Sequence, residues 1–389
     1  MKIDESIFKE YDVRGLYPKE INEKTAYEIG RMFCAFLKLN QSTGGKIVIG
    51  HDNRTSSPKL SRAFISGIID SGINVIDIGN TKTPMLYFAI YHLKANGGAM
   101  ITASHNMKKY NGIKFARANA EPISGLEIKQ TLGKIKTLGV FPSTPSVKKG
   151  IIKKYNIEEN YFKKVFHGFD RKKIKKIKSF FDPDADRLMI VKDKKRDVIR
   201  GDIIGGIIAD AITKKGDKII YDIRCSHAIP EYFKNKGIIA IPSKVGHFNI
   251  KKLMREKKAI FSMEISGHYY FKNFNYCESP HFGLRILAEH MEKTGKNLKE
   301  LSKKFTKYHH TGIIDLKIKN FQKLMRELKE KYKNSSQNFT DGLTIEYSNW
   351  WFNIKESHTE PLLRLAVETN SEKLLEEKLN ELKKIIKRN

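Results

Sequence analysis

At 389 residues, 40% of them apolar, the chain is too long for one ordinary core and too apolar to be disordered. A formal net charge of +30, from 73 Lys and Arg against 43 Asp and Glu, suits a nucleic-acid surface, an anionic membrane or anionic small substrates. The lysines are spread along most of the chain and no basic region is interleaved with aromatics, so the favoured reading is a solvated lysine-rich surface with no specific nucleic-acid partner.

Cys34, Cys225 and Cys277 are few and far apart, which argues against a disulfide framework or a metal clip and for a reducing compartment. The first residues hold no apolar leader run, and the run Ile203 to Ile212 contains Asp210 and is too short to span a bilayer. The expectation is a cytoplasmic protein without a membrane partner.

In chain order, Phe8 to Gly15 opens the protein, with Arg14 beside a glycine that allows a tight turn. Apolar spacing at Ile29, Phe33, Phe36 and Leu37 predicts a helix over 22–38. A strand at 46–50 follows, then His51-Asp52-Asn53-Arg54-Thr55-Ser56-Ser57-Pro58, where Ser57 is the expected N-cap and Pro58 the first helical residue. Helix 58–71, strand 73–78, helix 84–94 and the apolar strand Gly97–Ile101 come next. Strands alternating with helices predict a doubly wound α/β layer. It ends near residue 145, after a helix over 125–138.

At Ser104 the pattern breaks into small, polar and basic residues, a loop at a strand end, where nucleophiles and ligand sites tend to sit. The string has no Gly-x-Ser-x-Gly elbow and no P-loop, and its basic neighbours suit a phosphate rather than an acyl group. Alone, a serine there is most simply a turn former. Residues 148–178 are dense in lysine and carry a short helical stretch. A strand over 178–181 then leads to Asp182-Pro183-Asp184-Ala185-Asp186-Arg187. Alternate carboxylates on an extended segment project to one side, and three oxygen donors make a hard-cation site for Mg²⁺ or Ca²⁺. An EF-hand is excluded, because Arg187 stands where its glycine must be and the flanks are strands.

Helix 203–213 and strands 218–222 and 238–241 precede Ser243-Lys244-Val245-Gly246-His247. Strand 259–263 leads to Glu264-Ile265-Ser266-Gly267-His268, where Glu264 and Ser266, two apart, can face one ligand such as a pair of vicinal hydroxyls. Helical residues 283–308 close this part. From Thr311 the alternation, a helix over 320–332, strands 343–347, 350–354 and 362–368, and a helix over 371–387 predict a separate α+β domain. Within it, Lys355, Ser357, Thr359 and Arg364 supply two hydroxyls and two cations, a set that suits a phosphate dianion.

Thr-Ala-Ser-His-Asn with Tyr-Asn-Gly-Ile-Lys, the Asp-x-Asp-x-Asp-Arg string, Glu-x-Ser-Gly-His and Ser-x-Thr-Glu-Pro, in this order, resemble the four active-site loops of the α-D-phosphohexomutases, most like the phosphomannomutase/phosphoglucomutase branch. The resemblance implies an α/β fold of three similar α/β domains, the second shortened by about half, plus a C-terminal α+β domain around a central cleft. The boundaries are 1–145, 146–197, 198–304 and 305–389. It implies phosphorylation of Ser104, Mg²⁺ held by Ser104, Asp182, Asp184 and Asp186, and Arg14 and Arg187 at the phosphate, with Lys114 as the acid/base. It places Lys244, Gly246 and His247 at the sugar, with Glu264, Ser266 and His268. It places Lys355, Ser357, Thr359 and Arg364 at the non-reacting phosphate. The implied reaction interconverts hexose 1-phosphate and 6-phosphate through a hexose 1,6-bisphosphate, in a monomer or weak homodimer. The alternatives are a catalytically impaired paralogue that binds sugar phosphates and a mutase for another sugar such as glucosamine phosphate. The chain departs from the family pattern at His51, commonly arginine; Met107, usually proline; Pro183, usually glycine; Met263, often glycine; and Lys355, usually arginine.

Overall fold

Helices alternate with strands from the N-terminus onward, and the central strands bury their apolar runs in one mixed sheet. The structure is a computed structural model that describes residues 3–40, 45–138, 148–192, 197–356 and 362–389. The elements that build this sheet are β1 (Val13–Leu16), α1 (Glu23–Phe36), β2 (Lys46–His51), α2 (Ser57–Asp70), β3 (Asn74–Asn80), α3 (Thr83–His92), β4 (Gly97–Ile101), β5 (Tyr110–Arg117), β6 (Pro122–Ile123), α4 (Gly125–Leu138), β7 (Ile152–Lys154) and α5 (Glu158–Val165). Strand order is β1-β5-β4-β2-β3-β7, with β6 on β5. β2, β3, β4 and β7 run parallel to their neighbours among themselves, and β5 is antiparallel to both β4 and β1.

Phe33, Phe64 and Phe115 form the aromatic centre of this core, with ring centroids 5.1 to 6.2 Å apart. Above them α1 and α2 touch backbone to backbone. A Cβ on Gly30 would lie 2.3 Å from the Phe64 carbonyl oxygen, and one on Gly67 2.1 Å from that of Tyr27. No side chain fits at either crossing point.

The chain divides into two compact units. The first comprises residues 1–189, 246–255 and 269–285, so it takes back the start of the helix His247–Lys257 and the antiparallel pair Tyr269–Phe271 and Cys277–Glu278 from later in the chain. The second comprises residues 190–245, 256–268 and 286–389. It contains parallel strands in the order Ile239–Ser243, Lys218–Asp222, Phe261–Met263. It also contains an antiparallel sheet in the order His309–His310, Leu363–Thr369, Trp350–Glu356, Leu343–Glu346, Ser336–Asn338. Helices Phe321–Lys331 and Glu372–Lys387 contribute Leu324, Leu328, Leu382, Ile385 and Ile386 to the core of that sheet.

Three expectations need correction. Ser57 does not cap α2; it is the first helical residue, Ser56 holds the cap position, and the Ser57 hydroxyl donates to Asp52 Oδ1 at 2.5 Å. The residues after Ser104 are not all loop, because Tyr110 to Arg117 form β5. The lysine-rich stretch, expected to place most of its lysines on a solvated helix face, has the short helix α5 but also β7, which pairs with β3, and a 3₁₀ segment, Arg171–Lys176. Among the described residues no helix is long and apolar enough to cross a membrane.

Candidate active site

Ser104 follows the carboxyl end of β4 at φ +51°, in the left-handed region, and is 3% exposed. That conformation costs a non-glycine residue on the order of 1–2 kcal/mol, and neighbouring side chains hold the turn. Ser104 N–H donates to Thr102 Oγ1 at 2.9 Å. Arg54 Nη2 donates to the carbonyls of Ser104 (2.6 Å) and Asn106 (2.7 Å), and its Nη1 to those of Met107 (3.0 Å) and Tyr110 (3.2 Å). Asp52 fixes Arg54 in turn, accepting from its Nε at 3.2 Å. Arg14 reaches the same loop, donating from Nη1 to Asn106 Oδ1 at 2.8 Å, and pairs with Asp12 at 2.5 Å.

The three aspartates do converge, but not as side chains on one face of an extended segment. Residues 183–185 turn, Ala185 sits at φ +53°, and its N–H donates to the Asp182 carbonyl at 3.0 Å. Asp182 Oδ1 accepts the N–H groups of Asp186 and Arg187, both at 3.1 Å, which ties the turn shut. The N-terminus of α3 clamps it from outside. Thr83 N–H donates to the Asp184 carbonyl at 3.0 Å and Thr83 Oγ1 to Asp184 Oδ2 at 2.9 Å. The ligand oxygens of Asp182, Asp184 and Asp186 all lie within 4.8 Å of one another. Asp184 is fully buried, and its Oδ1 has no hydrogen-bond partner among the described residues. An all-oxygen carboxylate set with a buried, unspent oxygen fits a hard divalent cation.

β5 delivers Lys114 to the same carboxylates. Its register opposite Met100 of β4 places Nζ 2.9 Å from Asp184 Oδ2 and 2.6 Å from Asp186 Oδ2. Burial opposes the ammonium charge, but the two carboxylates outweigh it and hold the lysine well above its ordinary pKa. An acid/base lysine needs a lowered value, and these carboxylates release it only when a cation takes up their charge. Arg187 links the two loops, donating from Nη2 to His105 Nδ1 at 2.9 Å. Desolvation, then the charges of Arg187 and Arg14, pull His105 down to about 3, although its ring still meets solvent.

In the second unit, Glu264 is buried and pairs with His268, Oε2 to Nδ1 at 3.0 Å, and Ser266 Oγ lies 3.0 Å from the same nitrogen. Glu264 and Ser266 therefore meet on one histidine. Lys244 is exposed there, while Gly246 and His247 belong to the first unit. Lys355 Nζ pairs with Asp341 Oδ1 at 2.5 Å and is only 9% exposed, and Asp341 Oδ2 accepts Val245 N–H at 2.9 Å. Arg364 lies opposite Lys355 in register and pairs with Asp315 at 3.4 Å. Ser357 and Thr359 lie outside the described residues.

Comparison with known proteins bears directly on this arrangement. Domain I of the phosphoglucomutase/phosphomannomutase family, of α/β/α type, matches residues 5–138, and domain III matches residues 200–308. The phosphomannomutase of Methanocaldococcus jannaschii is 35% identical over 447 positions, covering 98% of each chain. That of Vibrio cholerae is 32% identical with the same coverage.

The chain belongs to the phosphoglucomutase/phosphomannomutase family.

It is accordingly an enzyme of the mutase class, an isomerase that works by phosphotransfer. A phosphoglucomutase/phosphomannomutase family protein of Burkholderia thailandensis shares the fold at a TM-score of 0.82 and 23% identity, over all of this chain and 98% of that one. The Methanocaldococcus alignment also measures a departure: its 447 positions exceed the 389 residues here, so at least 58 of them face a gap in this chain.

Within the first unit the structure brings together the Ser104 loop, Arg14, Lys114, the three aspartates and Arg187. Sequence reasoning assigned no role to Arg54 or Asp341. The one local hint for Arg54 is an aspartate two residues before it; Asp341 precedes a turn glycine, Gly342 at φ +75°.

Proposed function

We propose that the protein interconverts hexose 1-phosphate and hexose 6-phosphate, of mannose, glucose or both, through phospho-Ser104 and a hexose 1,6-bisphosphate. The observation that supports this best is the joining of the serine loop to the three-aspartate turn, by Arg187 with His105 and by Lys114 with Asp184 and Asp186.

Charge explains why those groups belong together. A phosphoserine brings about −1.5 to −2 charges. Mg²⁺ held by Ser104, Asp182, Asp184 and Asp186 would offset part of that load and polarise the phosphoryl group. Arg187 and Arg14 stand beside the serine and meet the rest. Such transfer depends on in-line placement and charge stabilisation more than on covalent help from the protein. Phospho-Ser104 donates to the free hydroxyl of the sugar monophosphate, and the bisphosphate returns its other phosphate to Ser104. Lys114, held charged by Asp184 and Asp186, shares in that charge stabilisation, and its acid/base role in the proposal requires its pKa to fall once a cation takes up those two carboxylates.

Lys244, Gly246, His247, Glu264, Ser266 and His268 would grip the sugar, and Lys355, Ser357, Thr359 and Arg364 the non-reacting phosphate. The division at 1–145, 146–197, 198–304 and 305–389, a cytoplasmic setting and a monomer or weak homodimer belong to the same proposal. One observation favours a second reading, a sugar-phosphate binder with impaired turnover: Lys355 is buried against Asp341.

The test is ³¹P NMR of purified protein with Mg²⁺, a trace of glucose 1,6-bisphosphate, and mannose 1-phosphate or glucose 1-phosphate in separate tubes. Growth of a 6-phosphate signal, lost in Ser104→Ala, supports the mutase and ranks the sugars. No conversion by folded protein refutes it in favour of the second reading.

A further inference from the structure

Lys251 is the most deeply buried charge in the first unit that the proposed chemistry does not use. It lies on the helix His247–Lys257, and its side chain is 0% exposed. Its Nζ meets Glu278 Oε2 at 2.6 Å, and Glu278 is 1% exposed. Among the described residues neither atom has a further hydrogen-bond partner, so each charge compensates the other. The third member is Tyr87, whose ring centroid is 3.6 Å from Nζ. A desolvated ammonium over an aromatic face is a strong and direction-specific contact.

The place of this triad gives it a role. Tyr87 stands one turn after Thr83 on α3, and Thr83 is the residue that clamps Asp184 through both its N–H and its hydroxyl. Lys251 stands one turn after His247 on its own helix. That helix starts against the N-terminal string. Gly246, at φ +109°, lies so close to Tyr11 that a Cβ would be 2.8 Å from the ring, and His247 meets Tyr11 edge-on at 6.2 Å. Its other end is pinned by Arg255 Nη2, which donates to the carbonyls of Ala120 (3.1 Å) and Asn275 (2.6 Å). One contact therefore joins the helix that holds the metal turn to the helix that carries His247.

We propose that Lys251, held between Glu278 and the Tyr87 ring, is a positioning residue that sets His247 relative to the α3 clamp on Asp184. The proposal rests on the reading of His247 as a sugar-binding residue. A misplacement of about 1 Å costs on the order of a hundredfold in a positioned reaction, so even partial slippage is measurable.

The variants are Lys251→Met/Glu278→Gln, which removes both charges together and keeps the buried volume, and the pair Tyr87→Leu and Tyr87→Phe. The readouts are the His247 ring signal in ¹³C-histidine-labelled protein, assigned with His247→Gln, and KM for the hexose phosphate at saturating Mg²⁺. The double variant and Tyr87→Leu should shift the ring signal and raise KM roughly tenfold or more, while Tyr87→Phe, which keeps the ring face, stays within about twofold. An unmoved ring signal and KM in the folded double variant, or equal behaviour of Tyr87→Leu and Tyr87→Phe, would overturn the proposal. If the double variant does not fold, the Tyr87 pair decides. If the wild type shows no turnover, the mutase reading fails by itself and the ring signal still decides whether Lys251 positions His247.

Discussion

Replacing Arg54 with Met tests whether the serine loop is held from outside. Its guanidinium serves four carbonyls between Ser104 and Tyr110. A net ~1.5 kcal/mol for a bond from a charged donor gives about 3 kcal/mol for the two contacts at 2.6 and 2.7 Å. The two longer bonds add less. Asp52 keeps the Ser57 hydroxyl at 2.5 Å and the backbone N–H of residue 54 at 3.1 Å, both on Oδ1, while its buried Oδ2 loses the Arg54 Nε. The loss therefore falls on the loop and, through the unpaired Asp52 carboxylate, on the fold as well. About 3 kcal/mol is roughly two decades in rate. The expected result is a hundredfold drop in kcat for whichever hexose phosphate turns over, measured below the onset of unfolding, with a melting temperature lowered by the unpaired Asp52 carboxylate. Arg54→Lys should recover part of the loss only, because a point charge cannot fork to four acceptors. An Arg54→Met enzyme within threefold of wild type would refute the reasoning.

Asp184→Asn removes a buried oxygen donor but leaves Thr83 a partner, so the Mg²⁺ concentration for half-activity should rise at least tenfold with the fold intact, as titration against activity and melting would show. In the second unit, burial and then the Arg200 charge lower His310 to about 3, and the ring fits as a neutral imidazole, with Nε2 on the Arg224 carbonyl and Nδ1 accepting Gly312 N–H. Its folded pKa is below its unfolded one, so the unfolded chain takes the proton first and stability falls as pH drops through about 6.5. The loss should reach about 2 kcal/mol by pH 5 and flatten in His310→Gln, measured by denaturant unfolding. All three cysteines are buried, and burial pushes Cys34 up to about 12, so Ellman's reagent should find no thiol in native protein and three after unfolding.

The serine loop and the aspartate turn were legible because each is a short local string that follows a strand. Lys114 was named, but its placement by a strand was not foreseen. Asn111 and Gly112 interrupt the apolar run of β5, and they are tolerated because the strand is buried between two neighbours and packs closely. A Cβ on Gly112 would lie 2.2 Å from the Val13 carbonyl oxygen. The carboxylates were recognised by type while their geometry was misjudged, since a turn at Ala185 achieves what strand alternation was expected to do. Arg54 was illegible for a different reason: its acceptors are backbone carbonyls 50 or more residues away, and a backbone carbonyl carries no sequence signature. Lys251 and Tyr87 were hidden likewise, because α3 is buried nearly all round and shows no stripe that would single out one ring.

The return of residues 246–255 and 269–285 to the first unit has a consequence for synthesis on the ribosome. Tyr161, fully buried, contacts Ser279, His281 and Phe274, and Tyr87 lies beneath Lys251. A nascent chain that has emerged only as far as Met189 must keep both aromatic faces uncovered until nearly a hundred more residues follow. A fragment ending at Met189 would leave these buried aromatic faces exposed, the kind of surface that makes partly folded chains prone to aggregate. Any cut intended to yield an autonomous piece has to follow the path of the chain in space rather than its order.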